Sequence, residues 1–219
     1  MTGFLLVCGM RFLLPLLASL SFALPASAQM VVPLTTPDGR VACTQGKTGI
    51  GRPAQWKGIE DPDGPNGWAL AETEADPTDQ RFPLCISEPA TGRDFDATLR
   101  FKPVSGTKAQ VAGFVFRAQS ANDYYVVRAN ALDDTVRLYR MDKGKRSQLG
   151  VKEAPIALNQ WHSLRVIAVN DKYEVSLDGK ELFIATDRSL VTSGALGVWS
   201  QADSLTHYGS LLVGPPPAR

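Results

Sequence analysis

The stretch Val111–Asp142, VAGFVFRAQSANDYYVVRANALDDTVRLYRMD, decides how the rest of the chain is read. It divides into runs of β-branched, aromatic and long side chains at Gly113–Gln119, Tyr124–Ala131 and Thr135–Met141. Ser120-Ala121-Asn122-Asp123 and Leu132-Asp133-Asp134 separate the runs and carry turn chemistry. Side chains alternate along a strand, so every second residue shares a face. On that rule Phe114, Phe116, Ala118, Tyr125, Val127, Ala129, Val136 and Leu138 make one apolar face. Arg117, Gln119, Tyr124, Arg128, Asn130, Arg137 and Tyr139 fall on the other. The apolar face has to be buried against a second layer. The opposite face, rich in guanidinium, phenol and amide groups, is where a function is expected.

The same pattern continues on both sides. Upstream, Trp56–Glu60, Trp68–Thr73, Phe82–Ser87 and Phe95–Pro103 read as strands. Downstream, Lys143-Gly144-Lys145 reverses the chain into Ser147–Val151, followed by Trp161–Val169 and Tyr173–Leu177. Asp178-Gly179 is a two-residue hairpin signal leading into Glu181–Thr186, and Ala195–Gln201 and Leu205–Val213 complete the set. Trp199 and Gln201 lie opposite Leu196 and Val198, on the polar side. Roughly a dozen short strands with turn signals every 8–12 residues, and no convincing helix, predict an all-β antiparallel two-sheet sandwich. Residues 29–53, rich in Pro, Thr and Gly without a sustained period, read as an N-terminal extension, 54–214 as one sandwich domain and 215–219 as a tail.

The first residues carry a different message. Met10-Arg11, the apolar run Phe12–Leu24 and Ala26-Ser27-Ala28 have the order of a secretory signal peptide, with cleavage expected after Ala28. The absence of positive charge before Met10 points to Met10 as the start. Pro15 and Pro25 interrupt the run, which falls short of the ~20 residues a membrane span needs. Cleavage brings the 23 basic residues down to 22, equal to the 22 acidic ones. A neutral chain without a basic tract argues against nucleic acid as a partner. No later apolar segment suits a membrane span. Export places the protein in a secreted or periplasmic compartment, where Cys43 and Cys85 invite a disulfide. The alternative is a small buried Cys85 with a free thiol at Cys43.

Candidate chemistry is sparse. Asp61, Asp63 and Glu72 match three positions of a calcium-binding loop, but Pro65 and Asn66 break its centre and no helices flank it. Glu74-Ala-Asp76-Pro-Thr-Asp79 is the nearest approach to paired carboxylates for glycosidic cleavage, and Pro77 sets it in a loop. His162 and His207 lack metal-ligand spacing, and no motif calls for a cofactor or metal. The polar face is the better constellation. Rings stack on sugar C–H faces, and guanidinium and amide groups hydrogen-bond hydroxyls in pairs, which suits uronates and other acidic sugars. The expected ligand contacts are Arg117, Tyr124, Arg128, Asn130, Arg137, Tyr139, Trp199 and Gln201.

Taken in order, G-F-V-F-R (113–117), D-Y-Y-V-V-R-A-N (123–130), R-L-Y-R (137–140), W-H-S-L-R-V (161–166), L-D-G-K (177–180) and G-A-L-G-V-W-S-Q-A-D-S (194–204) resemble the concanavalin A-like lectin/glucanase superfamily. More narrowly, they are similar to secreted bacterial laminin-G-like and 3-keto-disaccharide hydrolase-like domains. The resemblance spans about Trp56 to Val213. It implies a jelly roll of two curved sheets whose concave face carries a sugar site. Acidic residues that relatives carry after the aromatic pair of the last strand are replaced here by His207-Tyr208-Gly209-Ser210. Such a fold hosts lectins, adhesion modules, hydrolases and lyases alike. The leading expectation is therefore carbohydrate binding. A glycoside hydrolase or lyase acting on oligosaccharides, or an envelope module whose partner is a protein, are the alternatives.

Overall fold

The structure, a computed structural model, describes residues 29–218. The expected signal peptide, 1–28, lies outside the described residues. Within them the strands are β1 Met30–Val32, β2 Thr44–Gly49, β3 Trp56–Glu60, β4 Trp68–Glu72, β5 Arg81–Gly92, β6 Phe95–Ser105, β7 Val111–Ser120 and β8 Asp123–Asn130. They continue with β9 Thr135–Asp142, β10 Lys145–Glu153, β11 His162–Val169, β12 Lys172–Leu177, β13 Lys180–Thr186, β14 Gly194–Trp199 and β15 Leu205–Gly214. One 3-10 turn, Pro65–Gly67, interrupts them.

These strands make two antiparallel sheets. One has seven strands in the order β10-β9-β8-β7-β14-β5-β2. The other has eight, ordered β13-β12-β11-β6-β15-β4-β3, with β1 beside the end of β15. The alternation read from the sequence decides which side chains face inward. Phe95, Ala97, Leu99 and Phe101 of β6 meet Phe114 and Phe116 of β7, Tyr125 and Val127 of β8, and Leu164 and Val166 of β11 in one core. Phe116 stacks on Tyr125 with ring centroids 5.4 Å apart and packs against Tyr173 of β12 at the same distance. Each such side chain contributes about 1.5–3 kcal/mol on burial.

Residues 29–53 do more than extend the domain. β1 joins the eight-stranded sheet and β2 the seven-stranded one. Their residues are short of the alternating apolar pattern because each lies at a sheet margin and is held by its neighbours. A disulfide between Cys43 and Cys85, with Cα atoms 5.4 Å apart, fixes the start of β2 against β5.

Both open sides of the sandwich are closed. On one side β10 meets β13, where a Cβ at Gly150 would lie 2.6 Å from the Phe183 ring. On the other, the Gln45 amide of β2 accepts from the Trp56 N–H of β3 at 3.0 Å and donates to the Trp56 carbonyl at 3.4 Å. The Thr35–Val41 loop covers the rest of β3, its Gly39 carbonyl lying against Gly58.

Candidate functional site

The outer face of the seven-stranded sheet carries its own apolar cluster, independent of the main core. Phe82 and Leu84 of β5, Val115 of β7, Tyr124 and Val126 of β8, Tyr139 and Met141 of β9, and Trp199 of β14 make it up. Gly113 is required here, because a Cβ would stand 2.9 Å from the Trp199 side chain. Phe82 stacks on Trp199, centroids 5.2 Å apart. Thr48 reaches from β2 across this face to β8, four strands away, where its hydroxyl donates to the Ala121 carbonyl. With that proton committed, Tyr124 donates to Thr48 Oγ1 at 2.8 Å and accepts from Trp199 Nε1 at 3.1 Å. Burial pushes the Tyr124 phenol up to about 12. Tyr124 and Trp199 are thus internal partners of each other and of Thr48.

A cationic cluster stands beside this apolar patch. Arg128 and Arg137 are directly opposite one another on β8 and β9. Asp133, in the turn between those strands, lies 3.7 Å from Arg128 and 3.6 Å from Arg137. Arg137 also donates to Thr135 Oγ1 at 3.2 Å and Gln148 Oε1 at 3.4 Å. Arg146, from β10, lies over the rings of Tyr139 (4.7 Å) and Phe82 (5.0 Å), and it contacts Gln201 Oε1 at 3.5 Å. Gln201 is held in turn by Asp79, to which its amide donates at 2.9 Å. Burial alone would raise the Tyr139 phenol. The charge of Arg128 and its hydrogen bond, with help from Arg146 and Arg137, outweigh that and hold it below its ordinary value.

The same sheet also carries a groove of about 290 Å³. Leu84, Ile86, Ala118 and Ala195 line it together with Thr44, Gln45, Glu88, Gln119 and Ser120. Its volume is close to the ~300 Å³ lower end of small-ligand sites. The two features together offer hydrogen-bond donors, a guanidinium-backed ring and an apolar surface.

The expected contact residues are placed unevenly. Arg128, Arg137, Tyr139 and Gln201 come together. Tyr124 and Trp199 lie beneath them with their polar atoms satisfied. Asn130 is spent on the local backbone, its Oδ1 accepting from the N–H of Gln110 at 2.9 Å and of Leu132 at 3.3 Å. Arg117 is elsewhere. The pairing of β7 slips between Phe116 and Ser120, and Arg117 has φ of 51°. That bulge turns its side chain away from the outer face and into the end of the sandwich. There it donates to Tyr173 Oη at 2.8 Å and to the carbonyls of Arg93 (2.9 Å), Leu190 (3.2 Å) and Asn170 (2.6 Å). Arg117→Ala is therefore expected to destabilise the fold by about 2–3 kcal/mol through its orphaned partners. Ligand retention by the folded fraction should stay the same. A loss of retention with unchanged thermal stability would return Arg117 to the site.

Arg146 was not among the expected contacts, yet the hairpin register contains it. A two-residue turn at Lys143-Gly144 pairs Arg146 with Met141 and so puts it on the face of Tyr139.

Other candidates resolve into structural roles. Asp61 holds Lys102 at 2.6 Å and His207 at 2.5 Å. His162 sits between Asp178 (2.7 Å) and the Ala157 carbonyl (2.9 Å). In the 74–79 loop Glu74 pairs with Arg52 at 2.7 Å. Asp76 accepts from the Arg52 N–H at 2.6 Å and the Thr78 hydroxyl at 2.6 Å, and these bonds lower its carboxyl to about 2. A carboxyl whose folded value lies below its unfolded one, about 3.9, stabilises the fold fully above that value and loses the contribution as pH falls towards 2. The urea midpoint is thus expected to fall between about pH 4 and pH 2, and Asp76→Asn should flatten that slope. An identical slope in the variant would contradict this account.

Several solved structures superpose on this two-sheet sandwich. No family model matches the chain. The carbohydrate-binding module CBM66 from Bacillus subtilis superposes with a TM-score of 0.62 over 77% of this chain and 95% of that one, at 19% identity. This chain has a concanavalin A-like jelly-roll fold. A galectin-like protein of unknown function from Bacillus subtilis superposes with a TM-score of 0.58, covering 80% of this chain and 90% of that one at 12% identity. Domain 4 of AbnA, a GH43 extracellular arabinanase from Geobacillus stearothermophilus in complex with arabinotriose, gives 0.52, with 78% and 82% covered at 16% identity. In sequence, the levanase of Bacillus subtilis (strain 168) is 26% identical over 117 residues, which are 52% of this chain and 17% of that protein. The chain thus spans about a sixth of that relative's length. Among the described residues no helix is long and apolar enough to cross a membrane.

Proposed function

We propose that the protein is an exported carbohydrate-binding module whose ligand lies on a concave outer face of the seven-stranded sheet. The observation that carries this reading is the gathering of Arg128, Arg137, Tyr139, Arg146 and Gln201 from separate strands and loops at one outer face of the sheet that also carries a small groove. Guanidinium and amide groups in that arrangement serve hydroxyl-rich ligands, and the buried Tyr139 ring supports the Arg128 and Arg146 guanidinium groups that lie over it. The contact between Thr48 of β2 and Tyr124 of β8, strands at separate places in the sheet, supports a concave shape for this side. Structures with the same fold include a carbohydrate-binding module and an arabinanase domain holding arabinotriose, which supports a glycan as the ligand class.

A glycan array probed with the purified protein, with release of reducing ends followed in parallel, tests the reading. Retention on a subset of glycans without product is expected, and Arg146→Ala should weaken it roughly tenfold, the effect of losing one charge-assisted contact. A blank array with a co-purifying protein partner would favour the envelope-module reading, and product release would favour the hydrolase. Export has its own test. The N-terminus of protein recovered outside the cytoplasm is expected at Gln29, and recovery of a chain that begins at Met10 would refute the cleavage.

A further inference from the structure

We infer that the ligand of this face is an acidic glycan, held by an oxyanion on a sugar ring that balances the charge of Arg128, Arg137 and Arg146. This rests on the glycan-binding reading above and narrows it.

Three arginines elsewhere in the protein are closely paired. Arg81 has Glu72 at 2.7 Å, Arg140 has Asp187 at 2.5 Å and Arg165 has Asp96 at 2.5 Å. Each is matched by a carboxylate at hydrogen-bond distance. The outer-face cluster departs from that practice. Arg128 and Arg137 face one another across the β8–β9 ladder, where like charges repel. Their shared carboxylate, Asp133, stays 3.6–3.7 Å away, and its Oδ1 is engaged by the Thr135 hydroxyl at 2.6 Å. Among the described residues Arg146 has no carboxylate within ion-pair range. Three guanidinium groups therefore share one loosely placed acid.

Burial sharpens the imbalance. Arg128 is 6% exposed, and its Nε is enclosed without a hydrogen-bond partner among the described residues. An enclosed, undercompensated cation is costly, and a bound anion lowers that cost. Arg137 and Arg146 are open enough to receive it, and Arg128 and Arg146 both lie over the Tyr139 ring. A neutral sugar would satisfy the donors but leave the charge. The excess of positive charge selects a carboxylate or a sulfate ester.

The test measures affinity of the purified protein for polygalacturonate, fully methyl-esterified pectin, levan and dextran sulfate in affinity gels, at low salt and at roughly 0.3 M salt. Polygalacturonate is expected to bind at least roughly tenfold tighter than its methyl ester, with the difference shrinking at high salt. Arg137→Gln and Arg146→Gln should each erase most of that preference while melting stays near wild type, and Arg137→Lys should restore part of it. Arg188→Gln, remote from the face and paired with Asp171 at 2.7 Å, should leave it unchanged. Retention on dextran sulfate alone would support the inference and make the oxyanion a sulfate ester. Equal affinity for levan, methyl ester and polygalacturonate would overturn the acidic preference and leave glycan binding standing. No retention on any of these or on the glycan array would remove both.

Discussion

Replacing Arg81 with alanine is expected to cost about 3–5 kcal/mol, a large share of the roughly 5–15 kcal/mol that holds a domain of this size together. Arg81 is fully buried at the start of β5. Its guanidinium donates to both oxygens of Glu72, at 2.7 and 3.0 Å, and to the carbonyls of Ala202 (2.9 Å), Pro53 (3.0 Å) and Arg52 (3.0 Å). It ties the loop after β2, the end of β4 and the loop after β14 to one point. Truncation strands an ionised Glu72 and several carbonyls in an interior that water cannot reach. Urea unfolding of Arg81→Ala is the measurement, and a change below about 1 kcal/mol would refute the role, being no more than an exposed ion pair supplies. The double variant Arg81→Met/Glu72→Met should recover much of the loss, because the penalty comes from the widowed charge more than from the missing pair.

Removal of the Cys43–Cys85 bridge has a second large effect. The cysteines are 42 residues apart in sequence, and closing a loop of that length is worth about 4 kcal/mol in the chain-entropy model. Cys43→Ala/Cys85→Ala, or reduction of the native protein, should lower the melting temperature accordingly. The loss reaches beyond stability. β2 carries Thr48, which meets Tyr124 across the outer face, and Gln45, which lines the groove. Glycan retention is therefore expected to fall under reducing conditions at temperatures where the core is still intact. Retention that survives reduction unchanged would separate the groove from the site.

The fold was legible because it rests on period-two alternation: in β6, β11 and β12 the burial follows it, and in β8 and β9 successive side chains alternate between the main core and the outer-face cluster. The hairpin at Asp178-Gly179 falls where the sequence puts it, with Leu177 paired to Lys180. The outer face was less legible for three physical reasons. An irregularity in β7, where residues 117–119 stand opposite Tyr124 alone, breaks the alternation at Arg117, and no composition signal marks such a bulge when the residue at positive φ is not glycine. Trp199 and Tyr124 lie on the expected side, but sequence carries no trace of the long-range contact between Thr48 and Tyr124. β1 and β2 were read as an extension because strands at a margin, stapled by a disulfide, do not need an apolar face. Arg146, by contrast, could have been found by counting register from Lys143-Gly144.

The sealing of both flanks of the sandwich has a consequence for how the molecule behaves in a crowd. Strands with unspent main-chain groups invite another molecule to add itself in register, which is the first step towards fibrils and exchanged dimers. Here the Gln45 amide occupies the main-chain N–H and carbonyl of Trp56, while Phe183 packs into the space left by Gly150. At these two flanks another copy therefore finds the approach to the strand edge already occupied.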